Sequence, residues 1–140
     1  MSKVAVVYWS GTGNTTAMAQ AVEDGAKEAG AEVSVFGPSE FNSTMVGDFD
    51  GIAFGCPAMG AEVLEENEYE PMFTDVEGSL SGKKIALFGS YGWGDGQWMR
   101  DWEDRANAAG ANLAYEGVMA NNFPSDDDLE ECKSLGRALV

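Results

Sequence analysis

An apolar run, Val4 to Tyr8, leads straight into Trp9-Ser10-Gly11-Thr12-Gly13-Asn14-Thr15, and a helical pattern begins near Thr16. A strand, a hydroxyl- and glycine-rich turn and a helix in that order form a cradle for an anion. Glycine lets the backbone fold close to a ligand. The unpaired N–H groups at the helix start point inward, and the helix dipole favours negative charge there. Ser10, Thr12 and Thr15 add hydroxyls and Asn14 adds an amide. The turn contains no Lys or Arg, so neutral donors alone would hold the anion. Two familiar phosphate loops are excluded. Gly-x-x-x-x-Gly-Lys-Ser/Thr needs a lysine that is absent here. In Gly-x-Gly-x-x-Gly, begun at Gly11, Thr16 stands where the third glycine belongs. That second pattern also wants an acidic residue after the second strand, where Phe36-Gly37 stands. The turn reads as a monophosphate site.

The order of elements sets the class. Apolar, β-branched runs near Lys3–Trp9, Ala31–Phe36, Gly51–Cys56, Lys84–Ser90 and Ala111–Val118 read as strands. Most are continuously apolar, as in a parallel sheet covered on both faces. Helical patterns lie between them at Thr16–Ala29, weakly at Phe41–Val46, at Glu68–Val76 around Pro71, at Gln97–Ala109 and at Ser125–Leu139. Gly30 and Gly110 are stop signals, and Ser125 is an N-cap ahead of the dipole-compatible run Asp126-Asp127-Asp128. Strands alternating with helices mean βαβ units with right-handed crossovers, an α/β fold in one domain spanning 1–140.

Ligands of open α/β sheets bind outside the carboxyl ends of the strands. The loop after the third strand is Cys56-Pro57-Ala58-Met59-Gly60-Ala61-Glu62. The loop after the fourth is Tyr91-Gly92-Trp93-Gly94-Asp95-Gly96-Gln97-Trp98. After the fifth comes Ala120-Asn121-Asn122-Phe123-Pro124. Two rings set among glycines suit stacking against a flat ligand. A phosphate corner beside a Met- and Trp-bearing corner predicts a phosphorylated aromatic ligand.

Composition narrows the rest. The 140 residues carry 24 acidic against 8 basic side chains, a net charge of −16, and no histidine. Such a surface repels nucleic acid and anionic membranes and favours basic patches on protein partners. Without histidine the usual proton shuttle is missing, and no nucleophile–base pair stands out. Cys56 and Cys132 form no Cys-x-x-Cys motif and are expected as free, buried thiols, with no metal site. No run is long enough to cross a bilayer, and no apolar leader follows Met1, so a cytoplasmic protein is expected.

Taken together, Tyr8 to Thr15, Gly55-Cys56-Pro57-Ala58-Met59-Gly60 with Glu62, and Gly82-Lys83-Lys84 through Phe88-Gly89-Ser90-Tyr91-Gly92-Trp93-Gly94-Asp95-Gly96 to Trp98-Met99-Arg100 resemble flavodoxins, in particular the short-chain flavodoxins of anaerobic bacteria. The resemblance covers nearly the whole chain. It implies a three-layer sandwich with a five-stranded parallel sheet, order 2-1-3-4-5, and helices on both faces. It also implies non-covalently bound FMN and a low-potential one-electron carrier between redox enzymes. Ser10, Gly11, Thr12, Gly13, Asn14 and Thr15 would hold the 5′-phosphate. Pro57, Ala58, Met59, Gly60 and Ala61 would contact the cofactor, with Met59 on one face of the ring and Trp93 on the other. Glu62 would accept the flavin N3–H. Backbone N–H groups within Ser90, Tyr91, Gly92, Trp93 and Gly94 would face N1 and O2. Trp98 would cover the phosphate and ribityl region, and Asn122 would contact the ribityl chain. The implied partners are ferredoxin- or flavodoxin-dependent oxidoreductases with basic docking sites, met by a monomer. A small FMN-dependent NAD(P)H or quinone reductase is the alternative. A receiver domain is excluded, because Ser10-Gly11, Gly55-Cys56 and Ala120-Asn121 stand where its acidic pocket, phosphoacceptor and lysine belong.

Two departures from the pattern have consequences. Pro57 offers neither the hydroxyl of a serine nor an N–H, which throws the phosphate onto the first loop. Neighbouring carboxylates oppose the last electron. One at roughly 12 Å in an effective dielectric of ~40 costs about 0.7 kcal/mol before screening, or about 30 mV. Several together depress the second potential by order 100 mV. Ala61 stands where the family's peptide turns toward flavin N5 on one-electron reduction, a type II-like turn that favours positive φ. Alanine there costs about 1 kcal/mol relative to glycine. Ala61→Gly is therefore expected to raise the first one-electron potential in a spectroelectrochemical titration; an unchanged or lowered value contradicts this.

Overall fold

The computed structural model of the chain describes residues 2–11, 13–59, 63–92 and 94–140. Strand β1 (Lys3–Tyr8) is followed by helix α1 (Asn14–Glu28), β2 (Glu32–Phe36), β3 (Gly51–Gly55), α2 (Tyr69–Glu77), β4 (Lys84–Tyr91), α3 (Gln97–Ala108), β5 (Asn112–Leu113), β6 (Val118–Asn121) and α4 (Asp126–Ala138). Every strand pairing is parallel, in the order β2-β1-β3-β4-β5, with β6 also on β4. The expected sheet order and the two helical layers hold.

Strand residues alternate between two separate cores. Val4 and Val6 of β1 join Met18, Val22, Cys132 and Leu135 beneath α1 and α4. Ala5 and Val7 face the other way, toward Phe73, Trp98 and Trp102 beneath α2 and α3. Both faces are covered, which is why the strands read as unbroken apolar runs. Both cysteines are free and fully buried, and burial pushes each thiol up to about 12.

Element ends follow local chemistry. Gly30 and Gly110 take φ 98° and 82°, ending α1 and α3 in the left-handed conformation. Ser125 Oγ accepts from Asp128 N–H, and Asp128 returns a bond to Ser125 N–H, a complete capping box. The weak pattern at Phe41–Val46 becomes two 3₁₀ turns, Pro38–Glu40 and Ser43–Asp48. Arg105 of α3 clamps α2, bonding Glu70 at 2.7 and 2.8 Å and Glu77 at 2.7 and 3.0 Å, with its guanidinium over the Phe73 ring.

The fifth strand differs from expectation. Instead of one run over Ala111–Val118, two short strands flank segment 114–117, which leaves β4 after the Ala114 N–H bond to Ile85 O, and the second continues to Asn121. Glu103 of α3 supplies the reason: its carboxylate accepts the Gly117 N–H at 2.9 Å, taking a donor that a continuous ladder would use. Ala120 and Asn121, expected in a loop, pair with Ser90 and Tyr91, and Tyr91 thus closes β4 rather than opening the loop after it.

Helices α1 and α4 approach closely because two glycines face each other's backbones. A Cβ on Gly25 would sit 2.1 Å from the Lys133 carbonyl oxygen, and one on Gly136 would sit 2.1 Å from that of Val22. Gly136→Ala is expected to cost about 1–3 kcal/mol by overpacking. Gly47→Ala, with nothing within 4 Å of its Cβ, should be near neutral. Urea unfolding checks the pair; equal midpoints would contradict the packing.

Candidate functional site

The parallel register places several strand ends at one level. Tyr8 pairs with Gly55, Gly55 with Phe88, and Phe88 with Val118. Beyond that level β1 and β3 separate into loops while β4 and β6 run on for three residues. A groove of about 310 Å³ opens there, lined by Trp9, Gly11, Asn14, Pro57, Ala58, Met59, Ser90, Tyr91, Gly92 and Asn122. Its lining among the described residues carries no charged side chain.

The first wall is the turn into α1. Trp9 N–H donates to the Gly55 carbonyl at 3.0 Å, holding the turn against β3. Gly13 N–H donates to Ser10 Oγ at 3.1 Å. Gly13 is the N-cap of α1 in the left-handed conformation, φ 92°, and supplies no side-chain cap. The first N–H groups of a helix have no intrahelical carbonyl to bond. At α4 a serine takes that role, whereas at α1 a ligand anion can. Thr15 and Ser90 are both buried, and their hydroxyls bond at 3.2 Å, joining the first turn of α1 to the end of β4.

The second wall is a hairpin after β3. Cys56 N–H donates to Phe88 O, and Ala58 N–H to Ser90 O, so the chain follows β4 past the end of β3. Met59 and Val63 then exchange both backbone bonds, at 2.9 and 3.0 Å, in an isolated antiparallel pair. The returning leg ends at Glu65. The residue is 6% exposed, and its carboxylate accepts N–H bonds from Asn67, Glu68 and Tyr69 at 2.8–2.9 Å. Burial alone would raise its pKa, but those three donors outweigh burial and hold the carboxyl below its ordinary range.

The third wall is the end of β4. Asn122 takes φ 60°, and its N–H donates to Tyr91 O at 2.7 Å, bringing the fifth-strand loop over Gly92. Asparagine tolerates this left-handed conformation better than most residues.

The expected site residues divide into four sets. Gly11, Asn14, Pro57, Ala58, Met59, Ser90, Tyr91, Gly92 and Asn122 meet in the groove. Ser10, Gly13 and Thr15 stand behind it, bracing the turn; Gly94, with φ 80°, lies in the exposed loop before α3. Thr12, Gly60, Ala61, Glu62 and Trp93 lie outside the described residues. Trp98 stands apart from the groove lining: it is 2% exposed, packs on the α2–α3 side of the sheet, and donates Nε1–H to Cys56 O at 3.2 Å. It braces the second wall from behind. Its phase explains this, because Trp98, Trp102 and Ala106 recur every four residues on the buried stripe of α3. Trp9 was missed as a lining residue. Its ring stacks close over Gly11, where a Cβ would sit 3.0 Å from Cη2. An aromatic at the seam of a strand and a glycine turn was the available signal.

A smaller cavity of about 180 Å³ lies between the second wall and α3, lined by Val63, Leu64, Glu70, Trp98, Asp101, Trp102 and Arg105. Its charged rim and its position off the strand ends set it apart from the groove. No cluster of potential metal ligands occurs among the described residues. Nor is any of their helices long and apolar enough to cross a membrane.

Known proteins agree with this arrangement. The family model described as flavodoxin matches residues 6–136. The flavodoxin of Megasphaera elsdenii is 48% identical over 137 residues, covering 98% of each chain. That of Clostridium beijerinckii is 44% identical over 135 residues, covering 96% of this chain and 97% of its own. The solution structure of two-electron reduced Megasphaera elsdenii flavodoxin superposes with a TM-score of 0.89 over 97% of both chains. A match of this extent in sequence and in fold means that the chain belongs to the flavodoxin family.

Proposed function

We propose that this protein carries electrons one at a time on a non-covalently held FMN seated in the groove at the strand ends, passing them between redox enzymes. The observation that supports this most is the groove's chemistry: an uncapped helix start and neutral donors together with the apolar surfaces of Trp9, Met59 and Tyr91. The donor set fits a monophosphate joined to a flat apolar ring. FMN, when bound, supplies the one-electron chemistry; the chain binds it, orients it and sets its surroundings.

In this reading Ser10–Thr15 hold the phosphate, with Thr15 and Ser90 fixing the loop that does so. Met59 packs on one face of the ring and Trp93 on the other, Glu62 takes the N3–H, and backbone N–H groups from Tyr91 to Gly94 face N1 and O2. Asn122 meets the ribityl chain. Neutral donors give an added electron no countercharge, and a net charge of −16 adds repulsion, so the potential is low. The acidic surface steers a monomeric, cytoplasmic carrier toward basic docking sites on oxidoreductases. The chain itself turns over no small substrate.

Stepwise dithionite reduction of the purified, FMN-loaded protein tests this directly. Two resolved one-electron steps and no NAD(P)H oxidation by the protein alone are expected. A colourless protein that ignores added FMN, or rapid NAD(P)H oxidation, would contradict the carrier reading. A second test addresses the phosphate end. Thr15→Val removes the hydroxyl facing Ser90 and orphans a buried polar group, at about 1–3 kcal/mol. FMN affinity is expected to fall about tenfold or more, with riboflavin affinity little changed, in fluorescence titrations of the apoprotein. Equal losses for the two flavins would contradict a phosphate-side role.

A further inference from the structure

Glu65 touches neither the groove nor its lining, yet the second wall ends on it. We infer that Glu65 is the positioning residue for the ring side of the flavin groove: its carboxylate locks the paired legs 56–59 and 63–65 to the start of α2, and so fixes where Met59 stands. The inference rests on the groove being the FMN site.

Four observations join to make this chain of contacts. Met59 and Val63 are bonded in both directions, so the position of the outgoing leg is that of the returning leg. At the base of the hairpin the Glu65 N–H donates to Cys56 Sγ at 3.4 Å, fastening the two legs together. The Glu65 carboxylate spends its capacity on the N–H groups of Asn67, Glu68 and Tyr69, and the Glu65 carbonyl accepts from Glu70 N–H at 2.8 Å. Helix α2 is in turn anchored to the sheet, since the fully buried Tyr69 donates its hydroxyl to Val7 O at 2.7 Å, one residue before the end of β1. Besides β4 and the Trp98 bond to Cys56 O at its outgoing leg, the hairpin is tied at its returning leg, and Glu65 makes that tie.

A carboxylate is suited to this role. Three convergent N–H donors at a helix start need an acceptor with several lone pairs, and the charge suits the dipole. Neutral replacement leaves donors short of acceptors inside a site that is almost closed to water. Shortening the side chain has the same result without removing the charge, because Asp pulls the carboxylate back by about 1.5 Å. Charge and reach can thus be separated by experiment.

The test compares FMN and riboflavin binding to apoprotein carrying Glu65→Asp, Glu65→Gln or, as a control for charge, Glu66→Gln. Glu66 is exposed in the same turn. Both Glu65 variants are expected to lose affinity for FMN and riboflavin by the same factor, about tenfold, since the displaced wall faces the ring that the two ligands share. Glu66→Gln is expected to leave riboflavin binding unchanged. In the loaded protein Glu65→Asp should also shift the second one-electron potential upward by admitting water to the ring, although the charge is unchanged. Wild-type riboflavin affinity and potential in Glu65→Asp, even with lowered urea stability, would reduce Glu65 to a helix cap and overturn the inference. Wild-type protein that bound neither flavin would instead overturn the reading of the groove. If the Glu65 variants do not fold, Cys56→Ala, which removes the other tie, is expected to produce the same parallel loss of both flavins; unchanged affinities there overturn the inference.

Discussion

Strands β3 and β4 can lie side by side at the site only because Gly55 and Gly89 lack side chains. A Cβ on Gly55 would fall 2.2 Å from the Phe88 ring, and one on Gly89 would fall 2.1 Å from the Cys56 carbonyl oxygen. Neither position requires a left-handed backbone; the constraint is space alone. That close contact lets Cys56 and Ala58 continue to bond β4 after β3 has ended, and the hairpin that forms the second wall springs from that extension. Trp98 fills the space behind it and bonds the same Cys56 carbonyl. The groove follows from two glycines and the register they permit.

Much of this was legible in the sequence, for identifiable reasons. Unbroken apolar runs mark strands covered on both faces, and the three strand-end loops stood out because glycines and aromatics occur together where no core needs them. Ser125, Gly30 and Gly110 act through neighbours a few residues away, so their signals survive without tertiary knowledge. What stayed hidden depends on distant partners. The break in the edge strand is set by Glu103 reaching Gly117 from α3. Glu65 sits in a run with Glu66, Glu68 and Glu70, and nothing local distinguishes the one buried carboxylate from its exposed or half-buried neighbours. The burial of Trp98 follows from its helical phase in α3 rather than from its nearness to the glycine loop.

The electrostatic design is one of contrast. A chain with 24 acidic residues presents a groove whose described lining is uncharged. Cations are spent elsewhere: Arg105 binds Glu70 and Glu77, Arg137 meets Glu28, and Lys83 and Lys84 reach backbone carbonyls. In the proposed reading the anion end would rely on the dipole and first N–H groups of α1, which would hold a phosphate without neutralising an electron added at the ring. Binding and potential can then be set at opposite ends of one groove.

In the proposed function the strand-end groove, and not the charged cavity beside α3, receives the flavin ring. Intermolecular nuclear Overhauser effects in the FMN-loaded protein test it most directly. Contacts from flavin protons to Trp9, Met59, Tyr91 and Asn122 are predicted, with none to Trp102 or Arg105. Contacts into the cavity of Leu64, Trp102 and Arg105, with Met59 and Trp9 silent, would contradict it.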